Sequence, residues 1–174
     1  MNAMKEQFLN GEIILIDKPL GWTSFQVVNK IRWLIRSTYG IKKIKVGHAG
    51  TLDPLASGLL ILCTGKMTKS IEQFMGQEKE YTGTFTLGAT TPSYDLETEI
   101  DHTFPTDHIT EELLQTTLDQ FVGTIDQYPP VFSALKKDGK RLYEFAREGV
   151  EVEIPTRKVN IRSFELTQKA IPKV

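Results

Sequence analysis

The chain has 174 residues, 40% hydrophobic and 25% charged, with a net charge of −1 at pH 7. That length suits one domain with a core of its own. The composition is that of an ordinary globular protein and excludes a disordered or fibrous chain, and the near-neutral total singles out no partner by global charge. Its single cysteine, Cys63, lies in an apolar run and reads as a small core residue, without an internal disulfide framework, as suits a reducing compartment. The opening segment, Met1 to Asn10, lacks the apolar core of a signal peptide, and the longest apolar run is far too short to span a bilayer. A soluble, cytoplasmic protein is expected.

The first predicted element is a strand at Ile13-Ile14-Leu15-Ile16, closed by Asp17-Lys18-Pro19-Leu20-Gly21. A helix follows. Thr23 and Gln26 form a Thr-x-x-Gln capping box, Val27, Val28, Ile31, Leu34 and Ile35 recur at helical spacing, and Gly40 supplies the stop. Lys30, Arg32 and Arg36 lie away from that stripe and are free to meet solvent or a polyanion. Lys42, Lys43 and Lys45 extend them into a basic stretch, residues 30–45, that contains no acid. A Gly-rich segment, Gly47 to Gly58, leads into the apolar run Leu59 to Leu62, which reads as a buried strand.

A short helix is predicted over Lys66 to Met75 with Met67, Ile71, Phe74 and Met75 inward. Residues 81–87 alternate, with Tyr81, Gly83, Phe85 and Leu87 on one face and three threonines on the other, the pattern of a half-buried strand. Residues 94–112 hold seven acids (Asp95, Glu97, Glu99, Asp101, Asp107, Glu111 and Glu112) and no Lys or Arg. A charge separation of this kind gives a basic face under a neutral total, or simply two solvated stretches. A second capped helix is expected over Thr110 to Val122. Residues 124–151 then mix Lys136, Lys137, Lys140, Arg141 and Arg147 with Tyr128, Phe132, Tyr143 and Phe145, and include a short helix ended by Gly149. Basic residues among aromatics suit RNA, whose exposed bases stack on such rings; a surface insertion packing on itself is the other reading. Strands at Val152 to Ile154 and Lys158 to Leu166 follow. The fold class is α+β: a mixed, mostly antiparallel sheet with packed helices.

The chemistry centres on Gly47-His48-Ala49-Gly50-Thr51-Leu52-Asp53-Pro54-Leu55-Ala56-Ser57-Gly58. One carboxylate, Asp53, is held toward extended backbone by Pro54 and placed on a stiff loop before a core strand. Such a loop presents a reactive group to a cleft, but Asp-Pro is equally an ordinary turn starter, and spacing alone leaves both readings open. Other chemistries fall away. Gly58 and Gly65-Lys66 lack phosphate-loop spacing and have Met67 where Ser or Thr is needed. Three histidines and one cysteine make no zinc signature. No GxGxxG follows a strand, and no Gly-x-Ser-x-Gly elbow is present.

The central segment resembles the catalytic motif of the TruB-type tRNA pseudouridine synthases. Leu15-Ile16-Asp17-Lys18-Pro19 with Gly21-Trp22-Thr23-Ser24 is similar to that family's N-terminal signature. Lys79-Glu80-Tyr81 with Leu87-Gly88 and Thr91 to Asp95 is similar to its second motif. Pro129-Pro130-Val131-Phe132-Ser133-Ala134-Leu135-Lys136, Gly139-Lys140 and Tyr143 to Gly149 are similar to its RNA-gripping insertion. The motifs run in family order from about residue 11 to 166.

The resemblance implies a pseudouridine-synthase-type sheet and an isomerase that flips one uridine from the TΨC loop of tRNA, breaks its glycosidic bond and rejoins the base through C5, with no cofactor and no metal. It implies Asp53 as the catalytic aspartate, Tyr81 against the flipped base and His48 in the base's vacated place. Lys18, Lys42, Lys43, Lys45, Lys136, Lys140 and Arg141 are expected at the RNA backbone. The protein is expected to act as a monomer on the tRNA stem-loop, away from membranes.

Two departures stand out. Phe132 replaces a more usual tyrosine. The family's later strand, with a Gly-Thr-Tyr-Ile-Arg-like segment whose arginine pairs with the catalytic aspartate, has no counterpart before Val174, nor does the RNA-binding C-terminal domain of many members. The 174 residues are therefore expected to form part of a catalytic domain. A desolvated Asp53 without that cation would resist ionisation, so little turnover is expected of these residues alone. A non-catalytic tRNA-binding module and the catalytic subunit of a guide-RNA-dependent complex are the competing readings.

Overall fold

A computed structural model describes residues 2–128, 136, 137, 140, 141, 156–168 and 170–174. The chain divides into two compact units, Met1–Tyr81 and Thr82–Val174.

The first unit begins with a helix the sequence did not announce, α1 (Asn2–Asn10), which has neither an acidic first turn nor a basic last turn. Strand β1 (Ile13–Lys18) and helix α2 (Ser24–Tyr39) follow. The predicted capping box is present: Gln26 N–H donates to Thr23 Oγ1 at 3.1 Å, and Thr23 N–H to Gln26 Oε1 at 2.7 Å. Gly40 closes the helix at φ 60°, a conformation that strains any side chain but suits glycine. Thr23→Ala is expected to cost about 1 kcal/mol, the usual worth of such a cap, read as a lowered urea midpoint at constant slope.

Strands β2 (Val46–His48) and β3 (Gly58–Thr64) complete an antiparallel sheet of order β1-β3-β2. Its register sets Ile14 opposite Leu62, Ile16 opposite Leu60 and Lys18 opposite Gly58. One face carries Leu60 and Leu62, which join Val27, Val28, Ile35, Ile41, Ile44 and Val46 in the core. Each fully buried aliphatic chain contributes about 1.5–3 kcal/mol. The other face is open, with Leu15 and Leu59 both more than 60% exposed. The run Leu59 to Leu62 is thus half-buried, not fully buried as its unbroken apolarity suggested.

Thr64 ties α1 to this sheet. Its buried hydroxyl donates to Phe8 O and accepts from Glu12 N–H, each at 2.9 Å. The predicted helix at 66–75 forms as a 3-10 turn (Gly65–Ser70) followed by α3 (Ile71–Met75), and Met75 faces outward.

Residues 81–87, which open at the last residue of the first unit, do not form the expected strand. Only their end is paired: Phe85 and Val174 exchange both backbone hydrogen bonds, and Leu87 N–H donates to Pro172 O. Phe85 remains 60% exposed. Strands β4 (Ala89–Thr90) and β5 (His102–Thr103) form a short ladder, held also by Thr90 Oγ1 donating to Asp101 Oδ1 at 2.6 Å. That hydroxyl, with lesser help from His102, holds the Asp101 carboxyl below its ordinary range. Helix α4 (Glu111–Asp119) is capped by Thr110 as expected and ends before Phe121 and Val122. Strand β6 (Gly123–Gln127), read from sequence as the start of the insertion, pairs with β9 (Arg157–Ile161). Between them β7 (Lys136–Lys137) and β8 (Lys140–Arg141) form a two-residue ladder. The expected helix of 142–149, the strand at 152–154 and Phe132 lie outside the described residues. Every strand pairing among the described residues is antiparallel, alongside the helices: an α+β fold.

Candidate active site

Asp53 stands in the loop between β2 and β3, and its backbone neighbours are fixed on both sides. Upstream, Ala49 N–H donates to Ile61 O at 2.8 Å, extending the β2–β3 ladder. The buried Ser24, first residue of α2, clamps Leu52 twice: Oγ accepts from Leu52 N–H at 3.0 Å and donates to Leu52 O at 3.1 Å. Downstream, Gly21 N–H donates to Pro54 O at 2.7 Å, and Ala56 N–H closes a turn on Asp53 O at 3.0 Å. Between these anchors the Asp53 side chain is exposed. Among the described residues no hydrogen bond or ion pair engages its carboxylate. The desolvation expected of it is therefore not met in this structure.

Lys18 corrects the sequence reading. It was expected at the RNA backbone, yet it is fully buried at the end of β1. Its Nζ donates to Trp22 O at 2.6 Å and Pro19 O at 3.1 Å. Two carbonyls aimed inward satisfy an ammonium that would otherwise be costly to bury. Lys18 thus holds the 19–22 turn, and that turn reaches Pro54 through Gly21.

His48, the last residue of β2, is half-buried, with Nδ1 2.5 Å from Gly50 O. A carbonyl only accepts, so the ring proton sits on Nδ1 and leaves Nε2 as the other polar edge. His48 thus ends the strand from which the Asp53 loop departs. Tyr81 is 75% exposed at the end of the first unit, in no strand. Among the described residues no hydrogen bond or ring contact joins it to either.

Lys42, Lys43 and Lys45 face solvent because Ile41, Ile44 and Val46 take the inward positions. Arg32 does not join them: its guanidinium donates to Val46 O at 3.0 Å and to Asn29 Oδ1 at 2.7 Å. Lys136 lies opposite Arg141 across the β7–β8 ladder, and Lys140 opposite Lys137. Cys63 is buried, and burial pushes its thiol up, toward an inert core residue. Among the described residues no group of three or more His, Cys, Asp or Glu is placed to hold a metal, and no helix is long and apolar enough to cross a membrane.

Ser24 was missed as part of this site, because a contact spanning 28 positions of sequence leaves no local signal. The geometry offers a carboxylate on a rigid frame, open to a ligand from solvent. A carboxylate is a weak nucleophile, so such positioning is what it needs.

The family model for TruB family pseudouridylate synthases (N-terminal domain) matches residues 36–174. The chain belongs to this family. It is 62% identical over 170 residues to the tRNA pseudouridine synthase B of Flavobacterium johnsoniae, covering 97% of this chain and 74% of that protein. It is 58% identical over 167 residues to the protein of that name from Phocaeicola vulgatus, covering 96% and 71%. Against that of Chlorobium luteolum the identity is 50% over 169 residues, covering 94% and 56%. The matched TruB region takes in the β2–β3 loop with Asp53, whereas Lys18, the 19–22 turn and Ser24 lie before it.

Proposed function

We propose that this chain isomerises a uridine in the TΨC loop of tRNA to pseudouridine, with Asp53 as its catalytic residue. The observation that carries the reading is the Asp53 loop itself, pinned at Leu52 and Pro54 with its carboxylate left free. The target uridine is flipped out of its stack so that C1′ can reach the carboxylate. The C1′–N1 bond breaks, the base turns, C1′–C5 forms, the C5 proton leaves, and N1 takes up a proton. Tyr81, exposed and carrying a hydroxyl, lies against the flipped base and handles that proton. His48, with its ring oriented by Gly50, stacks where the base was. Lys42, Lys43 and Lys45, with Lys136, Lys140 and Arg141 of the insertion, meet phosphates. The enzyme works as a cytoplasmic monomer without metal or cofactor.

The test is tritium release from tRNA carrying C5-labelled uridine, using the protein expressed from its complete reading frame. Release is expected; tRNA binding without release would favour a non-catalytic RNA-binding module. Changing Lys42, Lys43 and Lys45 together to Ala is expected to reduce the slope of log affinity against log salt by about one for each lysine that meets a phosphate. An unchanged slope would remove these lysines from the interface.

A further inference from the structure

The outward face of α2 carries a second surface that the Asp53 loop does not use. Gln26, Asn29, Lys30 and Trp33 are related by three- and four-residue spacings along about 10 Å of helix, and Trp22 stands just before the Thr23 cap. Trp22, Gln26, Asn29 and Lys30 line an open concavity of about 300 Å³. Trp22 is 40% exposed and Trp33 59%, and Lys30 Nζ sits 5.0 Å from the Trp33 ring centroid.

The polar groups here are uniform in kind. Gln26 Oε1 accepts from Thr23 N–H, and Asn29 Oδ1 accepts from Arg32. Both oxygens are therefore occupied, and the remaining amide nitrogens are donors without a protein partner among the described residues. Together with the Lys30 ammonium they offer hydrogen-bond donors, on a helix whose second half carries Lys30, Arg32 and Arg36 and no acid. Two indoles add flat apolar surface. A partner that accepts hydrogen bonds, carries negative charge and presents flat rings is a nucleic-acid strand. Gly21 donates to Pro54, so the Trp22 end of this face adjoins the Asp53 loop.

We propose that this face of α2 binds the unpaired RNA strand flanking the target nucleotide, with the indoles stacking on bases and Asn29, Gln26 and Lys30 on its oxygens. This rests on the reading of the chain as a tRNA-modifying enzyme. Trp22 and Trp33 are the two tryptophans of the chain, so intrinsic fluorescence reports the face directly. The Asp53→Asn variant, titrated with unmodified tRNA, is expected to show both indoles shielded from acrylamide; Trp22→Phe and Trp33→Phe versions separate them. Lys30→Glu and Trp33→Ala, both at exposed positions, are each expected to weaken tRNA binding by about five- to tenfold, as loss of a phosphate or stacking contact does, with unchanged circular dichroism. If end-labelled tRNA binds while both indoles stay as open to acrylamide as in the free protein, or if both variants bind like the parent, the proposal is overturned. Shielded indoles with no tritium release from the parent protein would count against the catalytic reading and leave this one standing.

Discussion

Asp53→Asn is expected to lower tritium release by at least about 10²–10⁴-fold, the range for losing a group that acts in the transition state, while tRNA affinity stays within about threefold. The substitution keeps size and shape and removes only the negative charge. Nothing in the frame depends on that charge: Leu52 is held by Ser24, Pro54 by Gly21, and the Asp53 backbone by its own turn. A loss of turnover with unchanged unfolding therefore isolates the chemistry. Retained release would remove Asp53 from the reaction, and a lowered urea midpoint would show that the carboxylate helps hold the loop.

Lys18→Met should act on the same site from beneath. Methionine fills most of the volume but leaves Trp22 O and Pro19 O without their shared donor. Two carbonyls losing a charged donor in a covered position cost about 1–3 kcal/mol, seen as a lower urea midpoint. The turn at 19–22 then loosens, and with it the Gly21–Pro54 bond that fixes the downstream side of Asp53. Turnover should fall further than tRNA affinity, because the residue moves the group proposed to react and touches no phosphate. If binding falls instead, with stability and maximal rate intact, Lys18 meets RNA after all and its burial here is not the state that binds.

Elements with local signals were legible in the sequence. The Thr23–Gln26 box, the α2 stripe, the Thr110 cap and the apolar run of β1 are decided within a few residues, and the structure follows them. What escaped was decided at a distance. Helix α1 lacks terminal charges and is secured by Thr64, more than 50 positions away. The alternation at 81–87 promised a strand, but a strand needs a partner, and only 85–87 finds one, at 172–174. Strand β6 was hidden because Thr124, Asp126 and Gln127 give it a polar look, and its mate lies beyond the insertion. Lysine is normally a surface residue, so nothing local marked Lys18 for burial. Within the candidate site, the acid, the histidine and the loop were readable; the hydroxyl and the ammonium that hold the loop in place were not.

The double clamp of Ser24 on Leu52 bears on which RNA yields. A loop held at both its amide and its carbonyl, one residue before the carboxylate proposed to react, has little freedom to follow a misplaced ribose. Most of the rearrangement then falls on the nucleic acid, and its energy depends on how easily that RNA unstacks. Selection among substrates would then be set partly by deformability: a hairpin that opens readily is modified faster than a stiffer one of identical contact sequence.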